Sequence, residues 1–216
     1  MVMEKIHPGA DWQAIAQEVD RTFDSHFALY SYTKYPAEDY RRFRETFSSF
    51  DERVDLESAL LWKWGHWGKD NYPAKQQALI KTISALWHEY RQWAGEASYA
   101  PEPVATFTWW SERLGRLRYI TTAYLTHLIH PQAVPIIDQH NFRAMNHLLQ
   151  ISQPKKKPSD WNDIIQLKSF LDAATVKLER AEGDLDKYLM MYGRALKARI
   201  SKPSRKAPEP LTAWSA

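Results

Sequence analysis

The chain has 216 residues, 44% apolar and 25% charged, the size and proportions of one globular domain or of two lobes sharing a domain. It contains no cysteine, which excludes disulfides, thiolate nucleophiles, zinc–thiolate sites and iron–sulfur clusters together. The formal net charge is only +3, and no apolar run is long enough for a membrane-spanning helix.

Glycine is scarce and apolar residues recur at helical spacing along most of the chain. Trp12, Ile15, Ala16, Val19, Phe23 and Phe27 form a first stripe. Tyr40, Phe43 and Phe47 form a second after Pro36, and Leu56, Ala59, Leu60 and Trp64 a third that ends near Gly65. Pro73 suits a first helical turn. Leu79, Ile83, Leu86, Trp87 and Tyr90 then mark a long amphipathic helix that stops by Gly95. The stretch 96–103 reads as a loop. Helices are expected over about 104–114 and 117–129, separated by Gly115. Pro131 and Pro135 impose an extended connection, and Asp138 opens a helix running to about Leu149. Lys155, Lys156 and Lys157 sit between two prolines as a basic linker. Ser159 is placed as the N-cap of a helix from Asp160 to about Arg180. A last helix starts at Asp184, with Tyr188, Leu189, Met191, Tyr192 and Leu196 facing inward. Residues 201–216 are rich in Pro, Ser and Lys and are expected to form a mobile basic tail.

Charge and aromatics are unevenly used. Residues 139–216 carry 14 Lys and Arg against 8 Asp and Glu, and the rest carries 15 against 18. A basic C-terminal part can face a polyanion or can simply be a solvated surface. Ten Trp and eleven Tyr supply core area, and the same rings can stack on bases.

Within residues 114–146, two helices meet at a tight turn at Gly115. A proline-bracketed segment follows, and an acid then sits at the start of a new helix with His140 and Arg143 on its first two turns. A carboxylate there can cap the helix. Placed at the mouth of a cleft it can also stabilise a cation or position a water.

These residues carry a resemblance. Pro131-Gln132-Ala133-Val134-Pro135 followed by Asp138-Gln139-His140 resembles the approach to the catalytic aspartate in 8-oxoguanine DNA glycosylases. Asp138-x-His140-x-x-Arg143 resembles the helix start of the endonuclease III and adenine-glycosylase branches. Leu114-Gly115 with Thr121-Thr122-Ala123 falls where the helix-hairpin-helix (HhH-GPD) superfamily has its hairpin. The resemblance covers about 33 residues. It departs from the family in having one hairpin glycine rather than two. Positions 118–120 read Arg-Tyr-Ile, where bifunctional members carry a Schiff-base lysine.

The resemblance implies an all-α, two-lobed helical bundle and a monofunctional glycosylase that flips a damaged or mispaired base from duplex DNA. Asp138 would be the catalytic carboxylate. Gly115, Arg116, Arg118 and Arg143 would contact the DNA backbone. Trp62, Trp64 and Trp67, Trp109 and Trp110, and His140 are candidates for the base pocket or a wedge, with a core role as the alternative. The implied domain spans 1–200, one lobe being 1–100 with 159–200 and the other 101–150. No cofactor and no metal are expected, and the partner is double-stranded DNA bound by a monomer. The N-terminus, Met1-Val2-Met3-Glu4-Lys5, lacks a signal-peptide pattern, so a cytoplasmic location is expected, nucleoid-associated in a bacterium.

Two alternatives stay open. One is a DNA-binding protein of the same fold without activity. The other is a metal-dependent hydrolase using His127, His130 and Asp138. Neither a glycine-rich phosphate loop nor a Gly-x-Ser-x-Gly elbow is present.

Overall fold

The computed structural model describes residues 9–96, 101–115 and 118–201. These form nine helices: α1 (Trp12–Phe27), α2 (Ala37–Ser48), α3 (Leu56–Trp64), α4 (Ala74–Glu96), α5 (Pro103–Leu114), α6 (Tyr119–Ile129), α7 (Gln139–Leu148), α8 (Trp161–Lys177) and α9 (Glu182–Ser201). The all-helical class expected from the spacing is therefore observed. The residues beyond 201, expected to form a basic tail, lie outside the described part.

Local chemistry sets the helix starts. Asp11, Asp55, Asp138 and Asp160 each cap a helix by accepting backbone N–H bonds. The cap of α8 is Asp160 rather than the expected Ser159. The Asp163 side chain reaches back to the Ser159 and Asp160 amides, so the reciprocal capping box forms one residue later. Gly65 ends α3 at φ +70°, a conformation that favours glycine.

α6 is the centre of the fold. Every residue from Thr121 to Ile129 is buried, as befits a helix apolar on all sides. It divides its faces between two hydrophobic cores. Tyr119 and Ala123 belong to a core built from α1, α7, α8 and α9. Tyr124, Leu125, Leu128 and Ile129 belong to a core built from α2, α3, α4 and part of α5. In the first core α1 joins the C-terminal helices, and in the second α2–α4 pack on the α5–α6 hairpin.

The paired tryptophans of α5 both enter the second core. Trp110 is fully buried and stacks near Tyr90 and Trp87. Trp109 is 5% exposed, packs edge-on to Tyr90, and lies under the Arg113 guanidinium at 3.8 Å.

Candidate functional site

The segment 131–137 carries Asp138 into place by anchoring alternately. Ile136 packs on the second core and Ile137 is buried in the first, the two-sided pattern of an extended chain. Asp138 then caps α7. Its Oδ1 accepts from His140 N at 2.6 Å and Asn141 N at 3.0 Å. Asn141, itself fully buried, returns the favour by accepting from the Asp138 amide at 2.8 Å. Its Nδ2 donates to the Ile136 carbonyl at 2.5 Å and to Asp186 Oδ1 on α9 at 3.1 Å. Asn141 is thus a positioning residue that ties the acid to two elements. Asp138 Oδ2 has no hydrogen-bond partner among the described residues.

Asp138 lines a cleft of about 1020 Å³. The aromatic side chains of Trp64, Phe107, Tyr119 and Trp161 form part of its wall. Four cations, Lys63, Arg118, Lys157 and Arg194, line it too. None of the four has a carboxylate within 4.0 Å among the described residues. The other cleft carboxylate, Asp160, is held below the usual range by a hydrogen bond from Lys155 at 2.7 Å. Unpaired cations around a recessed carboxylate make a surface suited to a polyanion.

Of the sequence-predicted residues, Asp138, Arg118, Trp64 and His140 meet in this cleft. His140 is half-buried, and burial lowers its pKa while the Asp138 charge partly opposes this. Its Nδ1 accepts from Arg143 Nη1 at 3.3 Å. Arg143 also donates to the Gly193 carbonyl at 3.1 Å; it fastens α7 to α9 and does not line the cleft. Gly115 adopts φ +78° at the end of α5, and Arg116 lies outside the described residues. Trp62 is buried, stacks on Tyr40 and donates Nε1 to the Pro36 carbonyl at 3.1 Å. Trp67 packs edge-on to Phe43. These two, like Trp109 and Trp110, lie off the cleft wall.

Lys63 and Arg194 were not singled out from the sequence. Lys63 looks there like one charge among tryptophans, and Arg194 is 56 residues from Asp138. Burial lowers the Lys63 pKa, and the charges of Asp138 and Asp186 oppose that shift. Its Nζ lies 5.7 Å from the Tyr124 ring centre.

The histidines that the metal-hydrolase alternative would bring to Asp138 are engaged elsewhere. His127 donates Nδ1–H to the Val134 carbonyl at 2.6 Å, leaving Nε2 to accept from the Tyr40 hydroxyl at 2.5 Å. His130 Nε2 shares a 2.8 Å bond with Thr106. No cluster of three metal-ligating side chains occurs among the described residues.

His127 gives a pH prediction. Burial pushes it down to about 3, so the unfolded chain binds one more proton than the folded one between about pH 6.5 and 3. Stability from this group is complete above pH 6.5 and falls by up to about 1.4 kcal/mol per pH unit below it. Urea unfolding at pH 7, 5.5 and 4.5 should show that slope, and His127→Asn should flatten it. Equal slopes in both proteins would remove His127 as the cause.

The fold and site thus define an all-helical protein with a capping aspartate on the wall of a cationic, aromatic cleft. Comparison with family models, with curated proteins and with solved structures gave no match.

Proposed function

We propose that the chain is a base-excision DNA glycosylase that hydrolyses the N-glycosidic bond of a flipped base. The observation that carries this reading is Asp138: one oxygen is spent on the helix cap, the other has no partner among the described residues, and the cleft it lines carries four cations without an ion pair among those residues. Lys63, Arg118, Lys157 and Arg194 would bind phosphates of the strand. Trp64, Tyr119 or Trp161 would stack on the extruded nucleotide. As the base leaves, positive charge grows on the sugar, and Asp138 Oδ2 would stabilise it and orient the attacking water. The resemblance of residues 131–143 to the glycosylase motif points the same way.

Base release from duplexes carrying a panel of lesions tests the reading, with Asp138→Asn as the paired variant. Release by the natural chain and its loss in the variant are expected. Duplex binding without release on any lesion would instead identify a non-catalytic DNA-binding protein.

Lys63 favours a second reading of the sugar chemistry. Positions 118–120 carry no lysine, but an amine from α3 lines the cleft with Asp138, and burial shifts it toward the neutral, nucleophilic form. That amine could add to the C1′ aldehyde of the ring-opened sugar, expelling water to form an imine. On the hydrolytic reading, borohydride traps no protein–DNA complex from an abasic duplex. A trapped complex that disappears in Lys63→Met would show that the Lys63 amine condenses with the abasic aldehyde after base release.

A further inference from the structure

A second cavity, of about 420 Å³, lies on the far side of Tyr35 from the cleft. Tyr35 borders both spaces, and only a gap of about 30 Å³ beside Lys63, Asp138 and Asp186 lies between them. That gap is far too small for a nucleobase, so the cavity has to be filled from its own mouth. Its volume is in the range of small-molecule sites.

Three features of its lining each ask for a different part of a ligand. The first is aromatic: Tyr30 lines the cavity and can take a planar ring on its face, beside Tyr40 and Trp62, whose own faces stack on each other and on His127 and Tyr124. The second is a carboxylate short of donors. Asp186 receives one hydrogen bond, from Asn141 Nδ2 to Oδ1, and its Oδ2 has no partner among the described residues. Burial drives this carboxyl up to about 6, and a ligand N–H would offset part of that cost. The third is a cation without an anion. Arg44 lines the cavity, forms no ion pair within 4.0 Å among the described residues, and its Nε is buried with no acceptor. A buried guanidinium N–H without a partner is rare and costly.

We infer that this cavity binds a nucleoside monophosphate, its base against Tyr30, an exocyclic amine on Asp186, and its phosphate on Arg44. The site is separate from the Asp138 cleft and takes a free nucleotide rather than a strand. A planar ring, an N–H donor edge and an attached anion occur together in that class of molecule, and each answers one unmet demand of the lining.

Calorimetric titration of the full chain with AMP, adenosine and inorganic phosphate tests it. AMP should bind about tenfold or more tightly than either fragment, the range of one charge-assisted contact. Arg44→Gln should bring AMP and adenosine to equal affinity, and Arg44→Lys, which keeps the charge, should retain part of the preference. Asp186→Asn should weaken AMP by about tenfold. Arg118→Ala, in the cleft, should leave AMP binding unchanged. No binding at millimolar AMP overturns the inference. So does an unaltered preference in both Arg44 variants, or a loss with Arg118→Ala as large as that with Arg44→Gln, which would put the nucleotide in the cleft. Base release is scored on Asp138 variants, so either conclusion can fail alone.

Discussion

Asp138→Asn should fold like the natural chain and release base at least about a hundredfold more slowly. Asparagine caps a helix about as well as aspartate, and its Oδ1 can accept the same bonds from His140 and Asn141 that Asp138 Oδ1 accepts now. Only the charge is lost. Its absence from the N-terminus of α7 costs about 0.3–1 kcal/mol of helix-dipole interaction, a melting shift of roughly 1–4 °C for a chain of this size. The effect on chemistry is larger. A carboxylate about 4 Å from a developing unit charge contributes about 4 kcal/mol at an effective dielectric of 20, which is about a thousandfold in rate. Thermal melting and single-turnover base release on the same preparation separate the two. A residue that only caps would give the opposite pattern, with equal rates in both proteins, and that outcome would remove Asp138 as the catalytic carboxylate.

The position of Asp138 was legible because the signals around it are local. Pro131 and Pro135 stop α6 and force an extended chain, and an acid three residues beyond Pro135 is a natural cap. What surrounds Asp138 was not legible, because it is assembled from distant elements. Lys63 sits in the last turn of α3, between two tryptophans of which Trp62 is buried and Trp64 lines the cleft. Only the packing of α3 against α2, α4 and α6 decides that its amine lines the cleft too. Trp109 and Trp110 misled for a related reason. Neighbours on a helix point about 100° apart, which suggests one inside and one outside. α5 is covered widely enough for both to be buried. His127 and His130 share a helix face, as metal ligands would, yet Tyr40, Val134 and Thr106 take up their ring nitrogens. Periodicity records which face is apolar and carries no record of which polar group lies across from it.

Gly193→Ala should be among the most damaging single-methyl changes in the chain. A Cβ at Gly193 would sit 1.9 Å from the His140 carbonyl oxygen and 2.6 Å from its carbon. The obstacle is backbone in the first turn of α7, so no side chain can rotate away. α9 has to withdraw by more than 1 Å to reach ordinary contact, and Arg143, which donates to the Gly193 carbonyl, loses its geometry as it does. Alanine is intrinsically better in a helix by about 1 kcal/mol, which offsets only part of the clash. Overpacking a tight core costs about 1–3 kcal/mol and more where backbone must move. We expect a net loss of about 2–4 kcal/mol, or roughly 4–16 °C in melting temperature. Gly183→Ala is the control: it lies in the same helix, and its Cβ would meet nothing within 4 Å, so the variant should melt at or slightly above the natural chain. The effect reaches the cleft because α9 also carries Arg194, whose Nη2 donates to the Tyr35 hydroxyl at 3.2 Å. A partly folded Gly193→Ala protein should therefore bind duplex more weakly even where it remains helical, and unchanged melting would show that α7 and α9 do not approach this closely.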